Sequence, residues 1–533
     1  MPYLAPDATA RPSAASAEAA ARSVATSHYR QMFDRRSPQE LKTLAHIKRF
    51  MERLVSDPGF REGLAAHIDN PSPLLAQHGI EVDAMQMLPL WRGTYLRYRN
   101  KPECAQWPLA ALWDEYIAEM IRHRDLLRDE GDMSVSNPRF HAWRERQIQR
   151  CSGELGGSAN SVTHPVIAFE LSEGCTVGCW FCGLSADRYK GHFAYTPDNA
   201  ALWQGVVGVA GDLFGSAART GFCYWATDPC DNPDYDHFLL DYYNAVGAMP
   251  QTTTAAPLKN EALTRRVLAL FDKYRTVTNR FSVLTIRHLN QIHAAFTPEE
   301  LMGVELVMQN KEALSSKADA GRARDRKAKL RAANRSDSIA LIQHDHTTIA
   351  CVSGFLVSMP LGRIQLVTPV PGSERWPLGY RIVAERHFKT VEKFRSHVQD
   401  MIAQNMPLSV PANEPVRFRR DLAFDKGDGI FMLRSRAREH QVQDVHVPAF
   451  GSVGQAIAAG DLDAGELIAR TAAADPVGMM ATASLLDDLF TAGLLESDLT
   501  DEYANRRNEG LESRVAVTAR TLIAEGLADA ATA

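Results

Sequence analysis

VIAFELSEGCTVGCWFCGLSADR, residues 166–188, carries more of the fold and chemistry of this chain than any other stretch. Its first half, rich in β-branched and aromatic residues, is predicted to be a β-strand. The strand delivers a glycine and then Cys175, Cys179 and Cys182 at the spacing C-x3-C-x2-C. Three closely spaced thiolates can hold three irons of a 4Fe-4S cluster and leave the fourth iron open to a small molecule. A structural zinc site would want a fourth ligand at finger-like spacing, and His192, ten residues past Cys182, fits no common knuckle. The chain has eight cysteines in all, a usage that points to a reducing compartment and not to a disulfide framework.

Working outward, residues 166–365 alternate strand-like and helix-like segments, a pattern that argues for parallel sheet with crossover helices. After VIAFELSEG come GFCYWATDP, TTTAAP, RFSVLTI, VELVMQN and TIACVSGFLVSM as further strands, with helical patterns such as DYDHFLLDYYNAVGAM and NEALTRRVLALFDKY between them. Six strand–helix units predict an α/β fold of the partial (β/α)6 TIM type. In such barrels chemistry sits at the C-terminal ends of the strands, where Cys175 falls.

The flanks divide the 533 residues further. Residues 1–33 are rich in Ala, Ser and Arg, lack an apolar signal core and are expected to be a disordered tail. Residues 34–150 are expected to form a helical N-terminal domain. Ser37-Pro38-Gln39-Glu40 is a capping box, and Leu41, Leu44, Ile47, Met51 and Leu54 follow at helical spacing, so a helix should run to Ser56. Breaks are expected at Asp57-Pro58 and Pro71. The core is assigned to 151–405 and a last region to 406–533, where a hairpin in VRFRRDLAFDKGDGIFMLRS, turning at Lys426–Gly429, precedes three helical patterns. The basic run around GRARDRKAKLRAANR is either the solvated face of a surface helix or an attractor for an acidic peptide. With 45% hydrophobic residues and a net charge of -5, the chain can bury large cores and has no global pull toward nucleic acid or an anionic membrane. No apolar run of about 18 residues suggests a membrane span, so a cytoplasmic protein is expected.

The cysteine run resembles that of radical S-adenosylmethionine enzymes. The resemblance implies one 4Fe-4S cluster on Cys175, Cys179 and Cys182, with S-adenosyl-L-methionine as the second cofactor, cleaved to a 5'-deoxyadenosyl radical that abstracts hydrogen. It implies Phe181 against the adenine, Asp228 for the amino group, and Ser282 and Arg287, both read on the fourth strand, for ribose and carboxylate. Asp231, Asn232 and Asp234 are assigned to turn formation.

Taken with YWATDPCDNPDY, TTTAAPLK, IACVSGFLV and RWPLGYR, residues 160–400 resemble the radical peptide epimerases of proteusin maturation. That resemblance implies inversion of L- to D-residues in a ribosomal precursor peptide, leader plus core, with an external electron donor such as flavodoxin or ferredoxin. It implies Cys351 as catalytic hydrogen donor from the opposite face. As residues alone, Cys223 and Cys230 are rival donors, and a buried cysteine can simply be a small hydrophobe. Cys104 and Cys151 have no supporting context. About fifty residues from Phe50 are similar to proteusin leader peptides, and the last region resembles winged-helix peptide-recognition elements, a pattern that also suits a DNA-reading winged helix. The alternatives are another radical modification of a peptide, by cross-linking, splicing or methylation, and an iron–sulfur redox-sensing DNA-binding regulator.

Overall fold

Pro38 occupies the first turn of a helix whose start is fixed by the expected capping box: Ser37 accepts from the Glu40 N–H, and Glu40 accepts from the Ser37 N–H. This contact belongs to a computed structural model that describes residues 23–314, 317–334, 347–427, 430–443, 450–472, 476–497 and 502–504. In the N-terminal layer, helices α1 (Val24–Asp34), α2 (Pro38–Ser56), α3 (Pro58–Ala66) and α4 (Pro108–Asp129) enclose Tyr29, Phe50, Phe60, Leu64 and Trp113. Each such side chain taken out of water contributes roughly 1.5–3 kcal/mol before entropy is charged. The helix over 38–56 ends where predicted, at an Asp57 that caps the next helix through the Phe60 N–H. The tail expectation is corrected in part: residues 24–34 form a helix that buries Tyr29, Met32 and Phe33, and residues 1–22 lie outside the described residues. The leader-like stretch is packed into this core through Phe60, Leu64, Leu75 and Ile80.

Helix α5 (Pro138–Leu155) contributes Phe140 and Trp143 to the main core, so the core begins before residue 151. Strand β1 (Ile167–Glu170) follows and pairs in parallel with β7 (Gly354–Ser358), Ile167 opposite Phe355. On its other side Ala168 bridges Phe222, and Phe222 bridges Gln251, both parallel. Strands β4 (Thr253–Thr254), β5 (Asn279–Val283) and β6 (Val304–Met308) continue as a parallel set. Between these segments lie α6 (Pro197–Phe214), α7 (Tyr235–Val246), α8 (Glu261–Tyr274) and α9 (Ile286–Ala295). Phe169, Trp203, Phe214, Phe238 and Tyr242 fill the space between sheet and helices. The chain is thus of mixed α/β class. Among the described residues the strands fall into four sheets and none is a closed barrel.

Two strand expectations are corrected. GFCYWATDP contributes one bridging residue, Phe222, because the chain turns at Ala226, whose φ is +48°, and then enters a short 3-10 helix (Pro229–Asp231). TIACVSGFLVSM is extended strand only from Gly354, so Cys351 precedes the strand. The sheet also grows past its parallel part, with β8 (Arg363–Pro369) and β9 (Tyr380–His387) added antiparallel to β7. Tight turns and short connections there leave no room for crossover helices.

Helix α10 (Gly321–Ala332) precedes β7, and α11 (Val391–Asn405) packs against α6. The last region has the hairpin β10 (Ala423–Lys426) and β11 (Ile430–Arg434), then β12 (Glu439–Gln443), α12 (Phe450–Ala459), α13 (Ala464–Ala472) and α14 (Pro476–Thr491). Phe431, Leu433, Ile457, Leu467, Leu486 and Leu489 form its core. Part of the expected turn, residues 428–429, lies outside the described residues. Among the described residues no helix is long and apolar enough to cross a membrane.

Candidate active site

The cysteine loop leaves the C-terminal end of β1 through β2 (Ser172–Glu173), which pairs with β3 (Gly191–His192), and it closes on itself where Cys175 bridges Arg188. Gly174 has φ +76°, and a β-carbon there would stand 2.3 Å from the Arg188 carbonyl oxygen, so the closure requires glycine. All three loop cysteines are free and partly exposed. Burial pushes the Cys175 thiol up to about 11 and Cys179 to about 12, helped by the nearby carboxylate of Asp228. Cys179 is within electrostatic reach of both Cys175 and Cys182.

Two residues of distant sequence hold this loop, and sequence reasoning gave neither of them that task. Asp231, assigned to a turn, is buried, and its carboxylate accepts from the Thr176 N–H at 2.9 Å, the Thr176 hydroxyl at 2.6 Å and the Lys259 ammonium at 2.5 Å. Arg322, inside the basic run, donates from its backbone N–H to the Cys182 carbonyl at 3.0 Å and from Nη1 to the Cys179 carbonyl at 2.9 Å. Its Nη2 donates to the Ala186 carbonyl. The loop is therefore clamped through its backbone and the Thr176 hydroxyl, and none of its cysteines is in a disulfide.

The basic run is corrected accordingly. It is not a wholly solvated face: Lys327 is buried against Asp319 at 3.2 Å, and Arg326 lies 4.6 Å from the Trp180 ring centroid. Lys317 lies 5.9 Å from the Phe181 ring, which is edge-on to Trp180.

Asp228 lies beneath the loop, fully buried, accepting from the Cys230 N–H at 2.9 Å, the Thr254 hydroxyl at 2.7 Å and the Ala255 N–H at 2.7 Å. Burial raises its carboxyl to about 6. Three of its acceptor positions are committed to strand connections, which ties it to β4 as much as to any ligand. Ser282 is on β5, on the face opposite Phe281 and Val283, which pack outward. Arg287 is not on a strand: it is exposed in the first turn of α9, because Thr285 caps that helix through the His288 N–H.

Cys351 stands three residues before β7, beside the N-terminal ends of the parallel strands, where the Ser353 N–H donates to the Pro165 carbonyl. It packs against the cluster that contains Ala168, Phe222, Trp225 and Leu356. Two residues earlier, Ile349 abuts Gly183 of the cysteine loop. Burial pushes the Cys351 thiol up to about 12, opposed by the Arg280 guanidinium. Arg280 in turn donates to Glu305 at 2.7 Å and to Gln251 at 3.1 Å, and Tyr224 donates to the same Gln251 oxygen at 3.2 Å. The rival Cys223 is fully buried between sheet and helices, away from this network, and Cys230 sits against Thr254 and Thr264.

Glu170, at the end of β1, was not singled out by sequence reasoning. Burial raises its carboxyl to about 7, with Arg363 at 3.9 Å opposing the shift. The signal in the sequence was a lone acidic residue closing an apolar strand.

The three thiols suit an iron–sulfur cluster in number, in sequence spacing and in being outside any disulfide. Among the described residues, no three Cys, His, Asp or Glu side chains converge into a metal-holding group as they stand.

Residues 416–493 match the family model described as protein y4wI C-terminal domain. Over 487 residues the chain is 60% identical to a protein of Sinorhizobium fredii described as "Uncharacterized protein y4wI", covering 91% of this chain and 94% of that one. No solved structure matches.

Proposed function

We propose that this chain, which belongs to the y4wI family, is a radical S-adenosylmethionine isomerase that inverts residues of a ribosomal precursor peptide. The observation that carries the proposal is the cysteine loop: three free thiols at C-x3-C-x2-C past the end of a parallel strand, in a backbone clamped on both sides. Cys175, Cys179 and Cys182 would hold the cluster, with Phe181, Asp228, Ser282 and Arg287 as candidates around the methionine-derived cofactor. Bound together, cluster and cofactor supply reductive cleavage to a carbon radical that removes one hydrogen atom.

The chain's own part begins with Cys351. An α-carbon radical needs a hydrogen atom, and a cysteine can give one only while its thiol is protonated. The apolar neighbours of Cys351 keep its S–H intact far above neutral pH. Donation leaves a sulfur radical on Cys351, which takes one electron and one proton from the external donor and solvent to be restored. Arg280, Gln251 and Tyr224 fix polar groups beside it that can orient a peptide backbone.

The architecture we assign is a partial barrel whose parallel segments run β7, β1, Phe222, Gln251 with β4, β5 and β6. The last strand stands beside the first and not beside the fifth. We assign the leader peptide to the winged-helix-like region. A cleft of about 380 Å³ there is lined by Gln149 and Gly153 of α5, by Arg419, Arg438 and His440, and by Asp487 and Asp488 of α14.

Co-expression with a precursor peptide in deuterated water tests the proposal. Inverted residues should carry one deuterium at the α-carbon, delivered through the exchangeable thiol. Inversion without deuterium would remove Cys351 from the mechanism, and a peptide changed in mass in ordinary water would replace epimerisation with another modification.

A further inference from the structure

We propose, resting on the cluster reading above, that the exposed basic row along α10 is the docking surface for an acidic one-electron carrier protein.

Helix α10, GRARDRKAKLRA, carries six cations and one carboxylate in 12 residues, within a chain whose net charge is -5. Two of the six are spent on the fold: Arg322 on the carbonyls of Cys179, Cys182 and Ala186, and Lys327 on Asp319. Ala323 and Lys327 mark the packed side of the helix. Arg326 and Lys329 follow Arg322 at the i+4 and i+7 positions, which puts the three on one side, and both are exposed.

The row begins at the cysteine loop. Gly321 has φ +53°, and a β-carbon there would lie 2.3 Å from the Gly183 carbonyl oxygen, so α10 starts against the loop backbone. The Gly321 N–H is bound at 2.8 Å to the Pro377 carbonyl, which fixes that start. Arg326 then lies 4.6 Å from the ring centroid of Trp180, the residue after Cys179, and Trp180 is half-buried. Thr176 and Gly178, between the first two cysteines, are exposed. A protein face seated on Arg326 therefore reaches Trp180 and the loop.

Cations in such a row draw in a partner of opposite charge. The loop's surface carboxylates, Glu173 and Asp187, are both met by Lys190, which leaves the cations of α10 in excess. Electron delivery asks for proximity and no shaped pocket, and that suits a row on the open side of a helix. The carrier gives up one electron and the cluster takes it, with no bond made or broken. A peptide needs a groove to grip it, and the cleft beside α14 supplies one.

The test measures association of the full chain, reconstituted anaerobically with iron and sulfide, with an immobilised flavodoxin and an immobilised ferredoxin at low and raised salt. Association should weaken as salt rises. Arg326→Glu with Lys329→Glu should slow it at least about tenfold at low salt and remove most of the salt dependence. Arg326→Lys with Lys329→Arg should hold the wild-type rate. Should the reversed pair misfold, Arg326→Gln with Lys329→Gln decides, a slowed association supporting the proposal and an unchanged one overturning it. Wild-type association with neither carrier, or a rate that the reversal leaves unchanged, overturns it as well. So does a reversal that slows binding of the precursor peptide and not of the carriers. Iron content is read on the same preparations: a wild type that loads no iron removes the cluster reading, and the carrier as occupant with it, even where association persists.

Discussion

The cysteine loop and the surroundings of Cys351 both raise a thiol by burial, yet they surround it with different groups. In the loop, three partly exposed thiols sit among charges, with Asp231 and Lys259 on one flank and Arg322 on the other. Cys351 sits against apolar side chains with Arg280 as the single electrostatic opponent of its burial. A ligand thiol must give up its proton to a metal, and a hydrogen donor must keep its own until the substrate radical arrives. In the function we propose, the loop thiols are the ligands and Cys351 the donor, one residue type in two settings.

Replacing a loop thiol should break the comparison most completely. In Cys175→Ala, iron content after reconstitution should drop to background and all turnover should cease. Next comes Cys351. Cys351→Ala should load iron and cleave the methionine cofactor as wild type does, yet lose inversion by at least about a thousandfold, roughly 4 kcal/mol, read from peptide chirality. If Cys351→Ala instead lost iron, the two regions would not be separable in function.

Glu170 closes β1 just ahead of the cysteine loop, and its titration adds a test by stability. Its carboxyl is raised from 4.5 to about 7 in the folded chain, so between those values the unfolded chain binds fewer protons. Stability should fall as pH rises from 4.5 to 7, by about 3 kcal/mol from this group. Urea unfolding at the two ends of that window should show the fall, and Glu170→Gln should flatten it. Asp231→Ala should cost about 2 kcal/mol, because the Thr176 donors and Lys259 lose their acceptor. Limited proteolysis at the cysteine loop should speed up in that variant. The smallest effect belongs to Cys223→Ala, about 1 kcal/mol for a small void between sheet and helices, with inversion intact.

Local signals were the legible ones. The box at Ser37–Glu40, the apolar spacing of α7 and α8, and the strand running into three cysteines are each written in contiguous residues. What escaped depends on distant partners. Arg322 meets a carbonyl 143 residues away, and nothing in a run of like charges distinguishes it from Arg324 or Arg326. Asp231 looked like a turn former because DNPD suits a turn, whereas its carboxylate reaches Thr176, 55 residues back. GFCYWATDP was strand-like in composition, yet one residue of it pairs. Arg287 was displaced from its strand by the cap at Thr285, a helix start that the apolar run RFSVLTI concealed. Of the candidate site, the thiols could be read directly; their supports could not.

The meeting of Gly321 with Gly183 is made from peptide groups alone, and so it stores little information in side-chain identity. A lineage could rewrite most of α10 and keep the contact, provided two glycines and one arginine survived. In a comparison of distant relatives, the fastening of the cysteine loop would then register as three scattered letters in an otherwise drifting, charge-rich segment.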